Sequence, residues 1–326
     1  MERKVFITGI TGFAGSNLAK KILEMRPNFK IFGLKRKESS IEKIKEIHNN
    51  VELFEGDITD IDSLDEAIKQ SQPNYIFHLA ALTPKLKVDN KLYWKINVDG
   101  TRNLLESVVN NANEIFKIHY ASTGYVYGES FNSGLPVNET AKTLPTETYE
   151  QTKLEGEKLF MEYSKKYNLP IVITRAFHHE GPGCREDLIG MIIIKKISEL
   201  LKYNKESLSF GNTKNVIDLT DVRDIVYGYL LAAEKGKIGE VYNLCSGKGY
   251  SVEELINFAI KYVGIKKSVK ITIDKKQVRP KEFPVRIGDY SKAKKELGWE
   301  PKLNFLKQTF PTMINFYLLN MKEVIE

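Results

Sequence analysis

Tyr149 and Lys153 stand four residues apart in Tyr149-Glu150-Gln151-Thr152-Lys153, a segment that reads as helix, so their side chains share one face. A phenol in water titrates near ~10, too high for proton shuttling at neutral pH. A neighbouring ammonium favours the phenolate, and opposite charges a few ångströms apart shift a pKa by about 1–3 units. The pair is thus suited to acid–base transfer at a substrate oxygen. Spacing alone also fits an exposed surface pair. A second segment, Tyr120-Ala121-Ser122-Thr123-Gly124-Tyr125-Val126-Tyr127-Gly128, follows an apolar run and offers a hydroxyl, Ser122 or Thr123, to the same oxygen.

A third segment is Thr8-Gly9-Ile10-Thr11-Gly12-Phe13-Ala14-Gly15, between a β-branched run and an amphipathic one. Glycines at this spacing allow a tight turn, close approach of the backbone to a pyrophosphate, and packing of the helix on the sheet. The helix N-terminus adds unpaired N–H groups and a favourable dipole. A dinucleotide site is expected here, built on GxxGxxG rather than GxGxxG. The second strand ends in Lys35-Arg36-Lys37, where an acid would accept from an adenosine ribose hydroxyl. Basic residues suit a 2′-phosphate, so NADP(H) is favoured over NAD(H). Asp57, beside Ile58, follows the third strand and is placed to accept from the adenine amino group; Leu79-Ala80-Ala81 offers small residues along the dinucleotide path.

These groups need a scaffold of alternating strands and helices. Strands are expected at Lys4 to Thr8, Lys30 to Leu34, Val51 to Glu55, Tyr75 to Ala80, Lys117 to Ala121 and Ile171 to Thr174. Helices are expected at Ser16 to Met25, around Asp62 to Gln70, from about Tyr93 to Asn110, and at Tyr149 to Tyr167. That rhythm implies an α/β protein with a doubly wound parallel sheet of Rossmann type. After Arg175 it breaks: His178 to Arg185 reads as a Gly/Pro loop, Asp218 to Ala233 as helix, and Glu240 to Leu244 as strand. Residues 1–175 plus about 215–248 are assigned to the dinucleotide-binding domain. About 176–214 plus 249–326 are assigned to a smaller C-terminal α/β substrate-binding lobe.

The 326 residues, 42% hydrophobic and 28% charged, suffice for a large core and are too apolar for disorder. The net charge of +7 is spread along the chain, which argues against a nucleic-acid partner. Two cysteines, Cys184 and Cys245, cannot build a disulfide framework. The N-terminus lacks the pattern of a signal peptide and no apolar run is long enough to span a bilayer, so a cytoplasmic enzyme without membrane partners is expected.

Glycine turn, strand-end hydroxyl and YxxxK, in this order, resemble the extended short-chain dehydrogenase/reductase family over essentially the whole chain. In that family the hydroxyl lies four residues before the tyrosine of a Tyr-Gly pair, here Tyr127-Gly128, which selects Thr123. The resemblance implies that Thr123 orients the sugar oxygen, Tyr149 is the acid or base, and Lys153 holds the nicotinamide ribose. Cofactor contacts are expected from Gly9, Thr11, Gly12, Phe13, Gly15, Lys35, Arg36, Asp57, Ile58, Leu79, Ala80, Ala81, Tyr149, Lys153 and Phe177. Substrate contacts are expected from Thr83, Thr123, Tyr125, Tyr149, His178 and Arg279. Asn97 matches an NxxGT helix motif and is expected to be structural. The family is commonly dimeric through the helices at about 93–110 and 149–167; Leu104, Leu105, Val108, Leu159 and Phe160 fit such a face, or simple packing on the sheet.

Gly33 to Ser40, Gly239 to Ser251 and Arg279 to Val285 are similar to the GDP-mannose branch, its 4,6-dehydratases and 4-keto-6-deoxy-mannose reductases. Two departures stand out. Relatives carry Asn where His178 stands, contacting substrate phosphates, a task a ring N–H could take over. They carry Arg where Ile217 stands, which leaves Lys214 or Arg279 to grip the nucleotide. Dehydratases place a Glu two residues after the catalytic Thr, sometimes preceded by Asp; here Gly124 and Tyr125 occupy those positions, so dehydration has no evident base. A metal trio of His178, His179 and Cys184 is less favoured than histidines beside a phosphate, and no metal is expected. The reading is therefore NADPH-dependent reduction at carbon 4 of a nucleotide-linked 4-keto-6-deoxyhexose. The alternative is a 4-epimerase with retained NAD; a 4,6-dehydratase or a non-catalytic NADP sensor follows.

Overall fold

The computed structural model describes residues 3–84, 88–278 and 283–325, with side chains to residue 318. Arg279 lies outside the described residues. The chain opens with β1 (Arg3–Thr8), α1 (Phe13–Met25), β2 (Phe29–Lys35), β3 (Val51–Glu55), α2 (Ile61–Ser71) and β4 (Tyr75–His78). Next come α3 (Asn90–Trp94), a π-helical turn (Lys95–Asp99), α4 (Gly100–Asn111), β5 (Lys117–Thr123), α5 (Thr148–Tyr167) and β6 (Ile171–Ala176). All are joined through one parallel sheet of order β10-β6-β5-β4-β1-β2-β3, where β10 is Val241–Leu244.

The apolar strand runs are buried on both faces, as a helix-covered parallel sheet requires. Val5, Ile7 and Ile31 face a core shared with Leu18 and Ile22 of α1, whereas Phe6, Phe32 and Ile76 point the other way. There they meet Leu64, Leu104, Leu105, Val108, Leu159 and Phe160, so the apolar positions weighed for a dimer face are spent on packing against the sheet.

The remaining elements are β7 (His178–Glu180), α6 (Ile189–Lys202), β8 (Ser207–Phe210), β9 (Val216–Asp221), α7 (Val222–Lys235), β11 (Gly249–Ser251), α8 (Val252–Tyr262), β12 (Lys270–Ile273), β13 (Val285–Arg286), α9 (Ser291–Leu297) and α10 (Phe310–Ile325). A second sheet has the order β11-β9-β13 with β7 also on β9, and β12 pairs with β8. Ile193, Ile197, Leu255, Ile256, Phe305 and Phe310 form the core of this smaller lobe. Among the described residues no helix is long and apolar enough to cross a membrane.

Three local expectations change. Asp218 to Ala233 is not one helix. Val216–Asp221 alternates apolar and polar residues and pairs as a strand; the helix begins only after Asp221, whose carboxylate accepts from Arg223 N at 2.8 Å as its cap. His178 to Glu180, read as loop, is a strand on β9. β4 stops at His78, leaving Leu79, Ala80 and Ala81 as coil at the strand's carboxyl end.

Candidate active site

The order of the main sheet reverses between β1 and β4, and the crevice beyond their carboxyl ends is where such sheets take ligands. The glycine turn lies there. Gly9 adopts φ +73°, and a Cβ on it would sit 2.9 Å from Ala80 N; a Cβ on Gly15 would strike the Gly9 carbonyl. No side chain caps α1 and no acid occupies its first turn, so its N–H groups face the crevice open to an anion. Thr11 and Gly12 are accessible in this turn, and Phe13 packs between the two lobes. The cradle fits a dinucleotide pyrophosphate. Gly15→Ala is expected to lower the melting temperature and raise the KM for cofactor by at least ~10-fold, read by calorimetry and steady-state kinetics.

A buried chain of hydrogen bonds fixes the next segment. Thr8 Oγ1 accepts from Leu79 N and Ala80 N, both at 3.2 Å, and lies 2.8 Å from His78 Nδ1. His78 Nε2 is 2.9 Å from Thr101 Oγ1, which donates to Asn97 O at 2.6 Å. Since Thr101 spends its proton on that carbonyl, His78 donates through Nε2 and accepts from Thr8 through Nδ1. Burial drives the His78 pKa well down, consistent with this neutral form. Asn97, within the π-helical turn, accepts from Leu82 N at 2.7 Å and donates to Leu82 O at 3.1 Å and Thr152 Oγ1 at 3.0 Å. It therefore ties the coil after β4 to α5 between Tyr149 and Lys153.

Further along the crevice, Ile58 is buried against Gly100, and Asp57 uses Oδ1 to accept from Thr59 N and Thr59 Oγ1. Lys35 Nζ is 3.7 Å from Glu55 and donates to Arg36 O, and the half-exposed Arg36 is 3.5 Å from Glu38.

β5 runs two residues beyond the expected strand, carrying Ser122 and Thr123 to the edge beside Arg175 and Ala176 of β6. The two hydroxyls part company there. Ser122 donates at 2.5 Å to Glu157, which also takes Arg175 Nε at 3.0 Å and a terminal Arg175 nitrogen at 2.7 Å. Thr123 accepts from Tyr125 N at 3.3 Å, and its hydroxyl pulls the Tyr149 pKa down. Lys153 is buried with Nζ 4.1 Å over the Tyr120 ring; burial lowers its pKa to about 7, opposed by Glu157. The expectation that Tyr149 is drawn toward neutrality is not met. Burial raises its pKa, the Tyr125 hydroxyl adds to this, and Arg185 and Thr123 pull back.

Beyond Thr123 lies a pocket lined by Gly124, Tyr125, Phe131, Phe177, His178, Ile217, Asp218 and Arg286. Phe177 packs against Gly124 and Gly288, forming its floor. His178 is in the wall, but its nitrogens are both taken: Nδ1 is 3.1 Å from the Tyr125 hydroxyl and Nε2 is 2.8 Å from Glu180. Its ring is thus committed to side chains, not left to donate to a phosphate as expected. Asp218 accepts from Ser246 N, Ser246 Oγ, Gly247 N and Gly288 N, yet burial still raises it to about 6. Thr83 Oγ1 accepts from Arg185, which also donates to Pro84 O at 2.8 Å, bridging the coil after β4 to the loop after β7.

Lys214 is exposed and is not among the residues lining this pocket, whereas Arg286 on β13 stands in register beside Ile217 on β9. Arg286 thus brings a guanidinium to the Ile217 position from the neighbouring strand. The guanidinium lies 5.3 Å over the Tyr125 ring, and its buried Nε has no hydrogen-bond partner among the described residues. Sequence reading missed Arg286 because only the strand pairing brings it here. His179 donates to Phe177 O, and burial pushes the Cys184 thiol up to about 12, a poor metal ligand; among the described residues no metal-holding group of His, Cys, Asp and Glu occurs.

Burial alone would lower the His178 pKa, but Tyr125 and Glu180 outweigh it and hold it at about 9. A raised pKa means that folding binds the proton: the stabilisation is complete below the unfolded value near ~6.5 and is lost as pH rises through 9. The wild type is expected to lose about 2–3 kcal/mol relative to His178→Asn between pH 6.5 and 9, measured as urea midpoints across that window. Equal slopes for the two proteins would refute it.

A family model described as GDP-mannose 4,6 dehydratase matches residues 6–310. The GDP-mannose 4,6 dehydratase of Drosophila melanogaster is 26% identical over 336 residues, covering 94% of this chain and 84% of that one. GDP-6-deoxy-D-mannose reductase of Pseudomonas aeruginosa is 25% identical, covering 99% of this chain and all of its own. A crystal structure of UDP-glucuronic acid 4-epimerase from Bacillus cereus in complex with NAD superposes with a TM-score of 0.81 at 26% identity, covering 96% of each chain. With a match over nearly its whole length and this crevice beyond the sheet, the chain belongs to the GDP-mannose 4,6-dehydratase family, extended short-chain dehydrogenase/reductases that comprise nucleotide-sugar dehydratases, reductases and epimerases.

Proposed function

We propose that the protein reduces the carbon-4 ketone of a nucleotide-diphosphate 4-keto-6-deoxyhexose, with a GDP sugar and NADPH preferred. The observation that carries this reading is the placement of Thr123 at the end of β5 and Tyr149 in the first turn of α5, with no carboxylate in the turn that follows Thr123. Thr123 and Tyr149 bond the ketone oxygen, and Tyr149 releases its proton as negative charge develops there. Lys153 orients the nicotinamide ribose. The glycine turn holds the pyrophosphate, and reduced nicotinamide, when bound, supplies the hydride. Gly124 and Tyr125 place no carboxylate beside Thr123, which supports reduction over dehydration. Arg286 supports an anionic nucleotide ligand in the pocket.

Lys35 and Arg36 support NADPH. Exposed ion pairs such as Arg36–Glu38 are worth about 0–1 kcal/mol and are readily exchanged for a phosphate. Arg36→Ala is expected to raise the KM for NADPH about 10-fold while that for NADH moves less than about 2-fold. Equal shifts for both cofactors would count against the assignment.

The likeness to an NAD-bound epimerase supports a second reading, interconversion of carbon-4 isomers. The deciding test incubates the protein with NADPH or NADH and a panel of nucleotide 4-keto-6-deoxy sugars, following the reduced-nicotinamide absorbance. Stoichiometric loss of NADPH with the GDP sugar supports the reductase. No net oxidation, interconverting carbon-4 isomers and NAD released on denaturation identify the epimerase.

A further inference from the structure

Lys153 is a buried amine with no acid beside it. Only 3% of the residue is exposed, and among the described residues its Nζ makes no ion pair and no hydrogen bond. What it meets is the face of Tyr120, with Nζ 4.1 Å from the ring centroid. Neighbouring ionisable groups do not take that place. Glu157, one turn further along α5, gives its oxygens to Arg175 and Ser122. Burial lowers the pKa of His78 on β4 and of His119 on β5, the latter to about 3, so both are neutral. Tyr120 is itself firmly packed, its ring stacked 4.6 Å from Phe160 and 5.6 Å from His78 between centroids. Its hydroxyl donates to Lys153 O at 3.4 Å, so one residue holds both the main chain and the side chain of Lys153. Gly156 permits this approach, because a Cβ there would strike the Tyr120 hydroxyl.

We propose that Tyr120 is a positioning residue for the cofactor, its ring face holding the Lys153 ammonium in place to receive the nicotinamide ribose. This inference rests on the reading that Lys153 holds that ribose. A cation gains most from an aromatic face where water is excluded, as it is here. Burial disfavours the charged form of Lys153, and the electron-rich face of the ring offsets part of that cost. An ammonium has three N–H donors, and the ring engages one side of it, which leaves donors for the ribose hydroxyls. A carboxylate in the same place would compete with those hydroxyls. Tyr120 thus acts through Lys153, fixing it before the dinucleotide binds and reducing the ordering that binding requires.

The test varies the electron density of the ring and keeps its shape. Tyr120→Phe is the reference, and mono-, di- and trifluorophenylalanine at the same position withdraw electrons from the face stepwise. Equilibrium binding of NADP+ to the full chain is measured by titration calorimetry, and NADPH oxidation with the nucleotide-sugar panel is measured separately. Tyr120→Phe is expected to bind within about 3-fold of wild type and the trifluoro ring ~10-fold more weakly than Tyr120→Phe, with the other rings graded between. A merely structural role would not follow the number of fluorines, since these rings pack alike. A second readout uses NMR of protein carrying carbon-13-labelled lysine, without added cofactor. The ε-protons of Lys153, identified by their loss in Lys153→Met, are expected upfield of those of the exposed lysines, shifted by the ring above which they lie. A flat fluorine series or an unshifted Lys153 signal overturns the proposal, and the reductase reading stands if the GDP sugar still oxidises NADPH. A graded series without NADPH oxidation by any sugar supports the proposal and overturns the reductase. Unchanged NADP+ binding in Lys153→Met overturns the proposal together with the assignment of Lys153 to the ribose.

Discussion

Tyr149→Phe lowers turnover by about 10²–10⁴-fold while the KM for nucleotide sugar stays within about 3-fold of wild type. The substitution removes one oxygen and keeps the ring, so the helix face and the Thr123 hydroxyl remain. Under the proposed function, ground-state binding is assigned to the pocket around Phe177 and Arg286 rather than to the Tyr149 hydroxyl. What disappears is the proton delivered as charge develops on the ketone oxygen, a loss confined to the transition state. Because burial raises the Tyr149 pKa above its ordinary value, the donor stays loaded through neutral and mildly alkaline pH. Steady-state NADPH oxidation with calorimetric binding of the sugar checks both halves of the prediction; a variant turning over within about 3-fold of wild type would remove Tyr149 from proton transfer.

Arg175→Met unfolds about 3–5 kcal/mol more easily than wild type, because it strands the Glu157 carboxylate with Ser122 as its remaining side-chain partner among the described residues. Both members of the pair are more than nine-tenths buried, at side-chain exposures of 8% and 6%. Removing one leaves an uncompensated charge, whereas removing both leaves only a packing change. The double variant Arg175→Met with Glu157→Leu is accordingly expected to recover at least about half of the single loss, a coupling read by urea denaturation of the four proteins in the cycle. Ser122 precedes Thr123, so the single variant should also slow turnover. Additive losses would show that the pair is not acting as a unit.

Segments governed by local pattern could be read from the sequence. Val51–Glu55 is a strand as expected, and the Tyr149 helix starts a single residue earlier, at Thr148. The glycine turn was equally legible, since strand, turn and helix are contiguous there. Val216–Asp221 misled because a short alternating strand runs directly into an apolar helix; Asp221, an acid just ahead of the apolar run, was the available sign of a cap. Glu180 and Arg286 could not be recognised, because Glu180 takes its meaning from Gly190 of α6 and His178, and Arg286 from Ile217 of β9 and Tyr125 after β5. The choice between Ser122 and Thr123 rested on the resemblance; in the structure Ser122 is engaged by the buried Glu157. Helical spacing put Lys153 on the face of Tyr149, but not its burial over Tyr120, and that burial lowers its charge near neutral pH.

The π-helical turn at Lys95–Asp99 holds more residues than an α-turn of the helix on either side. Each α-helical residue advances the direction of its side chain by about 100°. Deleting one residue there would let Asn90–Asn111 run as a single regular helix, but the face bearing Tyr93 would swing by that angle relative to the face bearing Leu104 and Leu105. Only one face could then keep its packing, and Asn97 would lose its hold on either Leu82 or Thr152. The geometry at Tyr149 depends on the number of residues in a neighbouring helix as well as on their kinds, so a length change here is more damaging than most substitutions.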